Sequence, residues 1–191
     1  MPGTRIAPSW RAPSRTWTSP ADTRTRYAEI PTPHGTYTLF REPGPRLSAD
    51  AEAEARERWQ FLLGGETVLE IDDAALPWQL IRTRLRRGVR GRLDGVPFTA
   101  RAAGRSLLPG RRGIRFTLDD GRTLSFTAHP FHLRLVRETG SEDEVLARTR
   151  AGGWETDRLD RGELALLCFI TVSGVDQLLT SALYEVFQSP L

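Results

Sequence analysis

Residues 164–175, LALLCFITVSGV, form the stretch that decides the fold of this chain. If the stretch is a helix, its side chains are apolar around almost the whole circumference, and the exceptions are two hydroxyl side chains and one glycine. Charged residues flank the stretch on both sides. Strong helix formers on both sides favour a helix over about residues 161–184, although β-branched residues at 170–172 leave a buried strand as the alternative. A helix that is apolar on every face must be surrounded on every face, so we expect the rest of the domain to enclose it.

This segment is too short to span a membrane as a helix. At about 1.5 Å per residue, twelve residues extend about 18 Å, whereas the hydrocarbon core of a bilayer is about 30 Å thick. The N-terminal residues also lack the apolar centre of a secretory signal peptide. We therefore predict a cytoplasmic protein, in which the helix has a length that suits a small barrel.

From residue 66 the hydrophobic period changes to two, which is typical of strands. Short alternating runs, bounded by glycine, proline or Asp-Gly, lie at residues 36–41, 67–71, 78–85, 89–93, 96–102, 113–120, 122–128, 131–137 and about 145–149. Asp94–Gly95 and Asp120–Gly121 predict tight hairpins, because both central residues of such turns need positive φ. Evenly spaced strands joined by hairpins predict an antiparallel meander that closes into a barrel or folds into a sandwich, and the enclosed helix favours the barrel.

A short surface helix is predicted over residues 49–63, ADAEAEARERWQFLL. A serine and an aspartate can cap it, acidic residues occupy its first turn, and Gly64–Gly65 is a typical C-terminal signal. An apolar stripe would dock its last turn on the domain, at Trp59, Leu62 and Leu63. The predicted fold class is thus mainly β with α, a closed antiparallel barrel around a central hydrophobic C-terminal helix, plus one surface helix.

Residues 1–35 differ from the rest of the chain. They contain six of the 13 prolines and five arginines against two acidic residues, and no hydrophobic period persists in them. Proline removes backbone donors and blocks helices, so we predict a flexible arm that does not pair regularly over much of its length, followed by one domain over residues 36–191. The aromatic residues Trp10, Trp17 and Tyr27 leave an alternative open, in which the arm straps across the domain or covers a pocket.

The hairpin series Val96–Arg137 and the segment 160–179, DRGELALLCFITVSGVDQLL, together resemble the tubby C-terminal-like superfamily, which includes the LURP-one-related proteins and the phospholipid scramblases. The resemblance covers about residues 36–187. It implies a barrel of roughly twelve strands around a central hydrophobic helix. It also implies lipid-related functions, because tubby domains bind phosphoinositide headgroups through basic surface residues and scramblases are associated with lipids and calcium. No enzyme active site comes with the superfamily.

The composition argues against several classes of functional site. The single cysteine, Cys168, excludes an intramolecular disulfide framework and a Cys-rich zinc site, and we predict that it is a buried, inert thiol. All 27 basic residues are arginine, a bias that indicates a GC-rich bacterial genome, and a GxxxxGK phosphate loop is impossible without lysine. The chain also lacks a G-x-S-x-G nucleophile elbow. We predict no catalytic residue, no metal and no cofactor, and the sequence leans against an enzyme without excluding one.

His129 and His132 have a spacing that metal ligands also use. On a strand, however, residues three apart face opposite sides, and Pro130 indicates a break in the strand. We therefore predict that these two histidines do not form a ligand pair.

Charge is distributed unevenly along the chain, although the formal net charge is only +3. Residues 82–115, here called the arginine ribbon, hold eleven arginines against one acidic residue, while residues 42–76 and 138–163 are net negative. A guanidinium is a planar fork that suits phosphate or carboxylate, and arginines that alternate on one strand stand side by side. The predicted anion-binding residues are Arg82, Arg84, Arg86, Arg87, Arg90 and Arg92.

Two interpretations of the arginine ribbon stay open. Its charges can be neutralised within the protein by the acidic helix at residues 50–57 and the loop at residues 142–144. Alternatively they bind an anionic partner, a membrane-surface lipid headgroup or a phosphorylated or carboxylated small molecule. Our functional prediction is the second, a non-catalytic barrel that binds an anion.

A different class of function is the alternative for the whole chain. A small-molecule enzyme or carrier, for example a barrel of the biosynthetic cyclase type, would hold its ligand in a pocket that the N-terminal arm covers. Nucleic acid is not the expected partner, because few aromatic residues are interleaved with the arginine ribbon to stack on bases.

Overall fold

The structure, a computed structural model, describes residues 4–6, 25–43, 57–74, 85–103, 113–129, 132–150, 153–156 and 158–180. Within these ranges the strands are β1 (Thr4–Ile6), β2 (Thr25–Thr32), β3 (Gly35–Pro43), β4 (Glu57–Leu63), β5 (Glu66–Ala74), β6 (Val89–Leu93), β7 (Val96–Ala103), β8 (Gly113–Leu118), β9 (Thr123–His129), β10 (His132–Glu138), β11 (Asp143–Arg150) and β12 (Gly153–Thr156). The helices are α1 (Arg161–Val172) and α2 (Val175–Thr180).

The strands of the described part of the chain form one twelve-stranded antiparallel sheet. From β2 to β12 each strand pairs with the next one in the sequence, as expected for a meander. The first strand, β1, pairs instead with the last one, β12. The two N-terminal strands therefore stand at the two ends of the strand order.

β1 and β2 both lie within the predicted flexible arm, residues 1–35, so these two parts of the arm do pair regularly. Ala28 and Ile30 alternate along β2 and are fully buried, a period of two that the surrounding prolines conceal in the sequence. Pro31 is accommodated because β2 pairs on one side only, and an edge strand tolerates a missing backbone donor. The two tryptophans of this stretch lie outside the described residues.

Most of the predicted strands are confirmed with small shifts at their ends, as β3 and β5–β11. The four-residue strand β12 was not predicted, because its single alternation is too short to stand out. Of the strand predicted at residues 78–85, only Leu85 is described, and it lies in a helical turn over residues 85–87 rather than in a strand. Residues 78–84 lie outside the described part of the chain.

The surface helix predicted over residues 49–63 is wrong in its C-terminal half, where residues 57–63 form β4. Residues 49–56 lie outside the described ranges. Trp59 and Phe61 are fully buried, with a partly exposed glutamine between them, so the apolar side chains follow a period of two. Pairing with β3 on one side and β5 on the other buries them more completely than one stripe of a surface helix would.

The glycine pair after this segment is a hairpin turn and not the end of a helix. Gly64–Gly65 joins β4 to β5 with φ angles of 59° and 90°. Because positive φ occurs both at helix C-termini and in type I′ hairpins, the pair suits either structure. Asp94–Gly95 forms the predicted tight hairpin, with φ angles of 48° and 78°. Asp120–Gly121 lies instead in a longer connection over residues 119–122, in which only Gly121 has positive φ.

The apolar segment 164–175 begins within α1, so the alternative of a buried strand is wrong. A capping box starts the helix: Asp160 Oδ1 accepts from the Glu163 backbone N at 2.7 Å, and Glu163 Oε2 accepts from the Asp160 backbone N at 3.0 Å. Nine consecutive residues, Gly162–Ile170, are buried. The helix is therefore buried on every face over this length. The sequence predicted such burial for the whole segment 164–175, and it is found in the first part of it.

The single helix predicted over residues 161–184 is interrupted after α1. Gly174 has a φ of 71°, which ends the first helix, and α2 follows directly. The last four residues of the prediction lie outside the described part. Neither of the two helices named here is long and apolar enough to cross a membrane.

Strands from distant parts of the sheet pack against α1. The Phe169 ring meets the rings of Trp59 and Phe61 on β4 edge-on, with centroids 5.7 and 6.5 Å apart. From β12, Trp154 Nε1 donates to Thr171 Oγ1 at 3.1 Å. The buried residues of α1 and of the strands form one hydrophobic cluster, in which each large apolar side chain contributes about 1.5–3 kcal/mol by leaving water.

Candidate functional site

Of the first four predicted anion-binding residues, the structure describes only Arg86 and Arg87. Arg82 and Arg84 lie outside the described residues. Arg86 and Arg87 are exposed in the helical turn over residues 85–87, before β6 begins. The strand predicted to align Arg86 with its neighbours is therefore wrong at this end.

Regular alternation of arginines is found instead on β6. Arg90 and Arg92 are exposed, whereas the other three residues of the strand are buried. On the neighbouring strand β7, Arg101 is also exposed, and its Nε lies 3.3 Å from the position that a Cβ would take on Gly88. Arg101 is the register partner of Arg115 on β8. Guanidinium groups of three adjacent strands thus share the outer face of the sheet.

The arginines of this face differ in whether a carboxylate balances them. Arg115 Nε donates to Glu138 Oε1 at 3.0 Å. Glu70 is the register partner of Arg92, yet Glu70 Oε2 accepts from Gln60 Nε2 at 2.9 Å. Five exposed arginines between residues 86 and 101 make no ion pair with any residue that the structure describes. We call these five the arginine surface: Arg86, Arg87, Arg90, Arg92 and Arg101.

Two of the acidic residues expected to neutralise the arginine ribbon pair elsewhere. Glu57, at the end of the acidic segment 50–57, accepts three hydrogen bonds from Arg41, one from Nε at 2.9 Å and two from Nη2 at 2.5 and 2.7 Å. Glu144, from the loop at residues 142–144, accepts from Arg137 Nη1 at 2.7 Å. These two carboxylates therefore do not balance the arginine surface, and residues 50–56 lie outside the described part.

An unbalanced group of guanidinium ions has a defined chemistry. Each offers up to five donors in a planar fork, stays charged at every physiological pH, and forms paired hydrogen bonds with phosphate or carboxylate oxygens. The like charges repel one another, so a bound anion relieves a cost that the free protein carries. Because the side chains are exposed on the outside of a sheet, the arrangement suits a headgroup that docks on a surface.

The structure brings together two histidines that the sequence analysis kept apart. His129 ends β9 and His132 begins β10, and the two are register partners across the hairpin. Their rings stack at a centroid distance of 4.5 Å and an interplanar angle of 29°. The prediction that they face opposite sides is wrong, because the chain reverses between them instead of continuing as one strand. The signal was the alternation of each flanking strand, which puts both histidines at an outward position.

These rings do not converge on a metal ion. Arg134 Nε donates to His132 Nε2 at 2.8 Å, so that nitrogen already has a partner. Within the described ranges no group of three or more histidine, cysteine or acidic side chains is placed to hold a metal. The third histidine, His34, lies elsewhere, with its Nε2 2.9 Å from the Leu159 carbonyl oxygen.

The single thiol lies in the core. Cys168 is fully buried in α1, and burial raises its pKa to about 12. A thiol with so little thiolate at neutral pH and no access to solvent is a poor nucleophile. The prediction of a buried cysteine is confirmed.

No protein-family model, curated protein or solved structure matches this chain. What the fold and the surface define is a class: a mainly antiparallel β protein with a buried apolar helix near its C-terminus and exposed arginines on three adjacent strands. Function has to be argued from that geometry.

Proposed function

We propose that this chain is a non-catalytic, tubby-like barrel protein that binds an anionic ligand through the arginine surface. The ligand class is a lipid headgroup or small molecule that carries phosphate or carboxylate groups. The observation that carries the proposal is the set of five exposed arginines in the arginine surface, which have no carboxylate partner among the described residues. Glu57 and Glu144, which were expected to neutralise them, pair with Arg41 and Arg137 instead.

The barrel is supported by the spread of the contacts to α1. In the strand order, β4 and β12 are eight positions apart, and a flat sheet would separate them by about 38 Å at about 4.8 Å per strand. Both strands nevertheless contact α1, through Phe169 and Thr171, and a helix with its side chains is only about 10–12 Å wide. A sheet that curls round α1 accounts for these contacts.

The tubby-like assignment is supported by the same features. The described residues contain twelve strands, of which β2–β12 follow one another in meander order, and one helix with nine consecutive buried residues; the resemblance implies about this number of strands and such a helix. The resemblance also implies binding through basic surface residues, and the arginine surface has that character.

The alternative of an enzyme or carrier with an internal pocket has less support. It needs an interior that a ligand can occupy, whereas side chains of α1 already contact Trp59 on β4 and Trp154 on β12. An open outer face with unbalanced charge favours surface binding.

The proposal is tested by binding measurements with two probes. One is a vesicle of phosphatidylcholine with a minor fraction of phosphatidylinositol bisphosphate, followed by co-sedimentation; the other is soluble inositol hexakisphosphate, followed by calorimetry. We expect binding that falls steeply between about 0.05 and 0.5 M salt, because screening acts on exposed charges. Retention on the vesicles identifies a lipid headgroup, and binding of the soluble probe alone identifies a small molecule.

Two double variants make the test specific. Arg90→Ala/Arg92→Ala removes two charges of the arginine surface and is expected to weaken binding about tenfold or more, since each charged hydrogen bond contributes about 1.5–3 kcal/mol. The control, Arg58→Ala/Arg122→Ala, removes two charges that are paired with Asp72 and Asp120 and is expected to bind like the unmodified chain. Equal loss in both variants, or no binding of either probe at low salt, would overturn the proposal.

A further inference from the structure

A second basic cluster lies on the outer face of the sheet, on β9, β10 and β11, and β8 separates it from β6 and β7. We call it the histidine face, and it consists of His129, His132, Arg134, Arg148 and Arg150. The stacked imidazoles come from the β9–β10 hairpin. Arg134 follows on β10 and is the register partner of Arg148 on β11, and Arg150 is exposed further along β11.

The hydrogen bond within this cluster defines the resting charge of His132. Arg134 Nε carries a proton at all times, so His132 Nε2 must accept with its lone pair and the ring is neutral. Burial and the neighbouring cations, Arg134 first among them, lower the pKa of His132. Protonation of His132 breaks the hydrogen bond from Arg134 and brings another positive charge beside the existing ones.

The groups that face His132 include three guanidinium cations and one carboxylate. They are His129 and Thr127 on β9, Arg134 on β10, Arg148 and Arg150 on β11, and Glu155 on β12. Glu155 is the only carboxylate of this set within the described residues, and both Arg148 and Arg150 use it, with Nε atoms 2.9 and 3.0 Å from Glu155 Oε2. Two guanidinium groups thus share one carboxylate, and the third, Arg134, has no ion pair with a described residue, before either imidazole is charged.

We propose that the histidine face is a second anion site, which binds a doubly charged tetrahedral oxyanion of the sulfate or phosphate type when its imidazoles are protonated. The stacked rings then present N–H donors beside the remaining donors of Arg134. The bound anion supplies negative charge that the single carboxylate, Glu155, cannot supply to all the cations. Binding and protonation favour each other, because the bound anion holds the proton on the imidazole and the proton adds attraction for the anion. The site strengthens as pH falls below neutral.

The test measures proton binding at each histidine by NMR, in sulfate and in chloride at equal ionic strength. Sulfate keeps both of its charges over the titration range of histidine, so only the protein changes its protonation. We expect sulfate to raise the pKa values of His129 and His132 by about 0.5–1 unit, as opposite charges at close range do. The pKa of His34 serves as the internal reference and should stay the same.

Variants connect the effect to the site. Arg148→Ala/Arg150→Ala should reduce the difference between sulfate and chloride at least about threefold, because the anion loses two nearby cations. Arg90→Ala/Arg92→Ala should leave that difference unchanged, which separates this site from the proposed function. Similar shifts at all three histidines, no shift at any of them, or an undiminished shift in Arg148→Ala/Arg150→Ala would overturn the proposal.

The source of the oxyanion is resolved by repeating the titration with a phosphate monoester, glycerol phosphate. Tighter binding than sulfate at equal protein protonation indicates a phosphorylated ligand, while equal binding indicates a free oxyanion. Both results support the site, and binding of neither anion contradicts it.

Discussion

Arg137 on β10 donates from Nη2 to the carboxylate of Glu163 in the first turn of α1 and from Nη1 to Glu144 on β11, the latter at 2.7 Å. Glu163 is only 1% exposed, and its other role is to complete the capping box with Asp160. One guanidinium therefore balances a buried carboxylate and ties the helix to two strands. The N-terminus of α1 is held in place by charge as well as by its apolar faces.

Replacement of Arg137 by alanine should destabilise the protein strongly. It leaves the Glu163 carboxylate buried without its cation, and breaking a buried pair in this way costs about 3–5 kcal/mol. The matched control is Arg122→Ala, which removes an arginine paired with the exposed Asp120 and should cost at most about 1 kcal/mol. Chemical unfolding followed by tryptophan fluorescence measures both; similar losses for the two variants would show that the buried pair has no special role.

Tyr37 ties β3 to the same end of the helix. Its hydroxyl donates to the backbone carbonyl oxygen of Arg161 at 2.6 Å, and burial raises its pKa above the ordinary value of 10.0. Tyr37→Phe should lower the free energy of unfolding by about 0.5–1.5 kcal/mol, the usual contribution of one such hydrogen bond.

The pH dependence of stability gives a second check on Tyr37. Because the folded protein holds this proton more tightly than the unfolded chain, the contribution of Tyr37 is complete below pH 10 and is lost as pH rises beyond that value. Tyr37→Phe should therefore show a shallower loss of stability in alkaline solution. An identical slope in both proteins would contradict the assignment of the buried hydroxyl.

Gly91 on β6 lies so close to β5 and β7 that there is no room for a side chain. A Cβ at this position would collide with the backbone carbonyl oxygen of Glu70 and with the Phe98 ring. Gly91→Ala should destabilise the protein by about 1–3 kcal/mol, since overpacking forces the β5–β6 backbone apart. Gly121→Ala is the control, because it meets nothing within 4 Å and should cost about 1 kcal/mol for its positive φ of 91°. A Gly91→Ala protein as stable as the unmodified chain would show that β5 and β6 are further apart.

Cys168 reports on whether the core opens. With a pKa of about 12 and full burial, it should react with a disulfide reagent at least about hundredfold more slowly in the native protein than in denaturant. The raised pKa also means that stability declines as pH rises above 9.0, since the unfolded chain loses the thiol proton first. Cys168→Ala removes the reaction altogether. Rapid native labelling would place the thiol near the surface and would argue against an enclosed α1.

Some features are readable from the sequence because they depend on neighbouring residues alone. The unbroken apolar run, with Asp160 and Glu163 before it, determined that α1 forms and that it is buried. Alternation of period two determined most of the strands, and Asp94–Gly95 determined a hairpin through its positive φ angles. The accumulation of arginine in this part of the sequence, together with the alternation, determined that arginines lie on the outer face of β6.

Residues 57–63 show where local signals are insufficient. Alanine and glutamate before Trp59 favour a helix, and Gly64–Gly65 suits a helix end as well as a hairpin. The outcome depends on β3 and β5, which pair with both edges of this segment and bury Trp59 and Phe61. Partners distant in sequence decided the structure, because their hydrogen bonds and burial outweigh local propensities of a few tenths of a kcal/mol per residue.

The sequence by itself determined which stretches are apolar, which alternate and where charge accumulates, since these follow from side-chain chemistry and backbone geometry at adjacent positions. Only the tertiary structure decided that β1 pairs with β12, that His129 stacks on His132, and which arginines are left without a carboxylate among the described residues. Each of these relationships joins side chains whose approach depends on the whole sheet. The register of many strands, and not any local pattern, sets the distances between them.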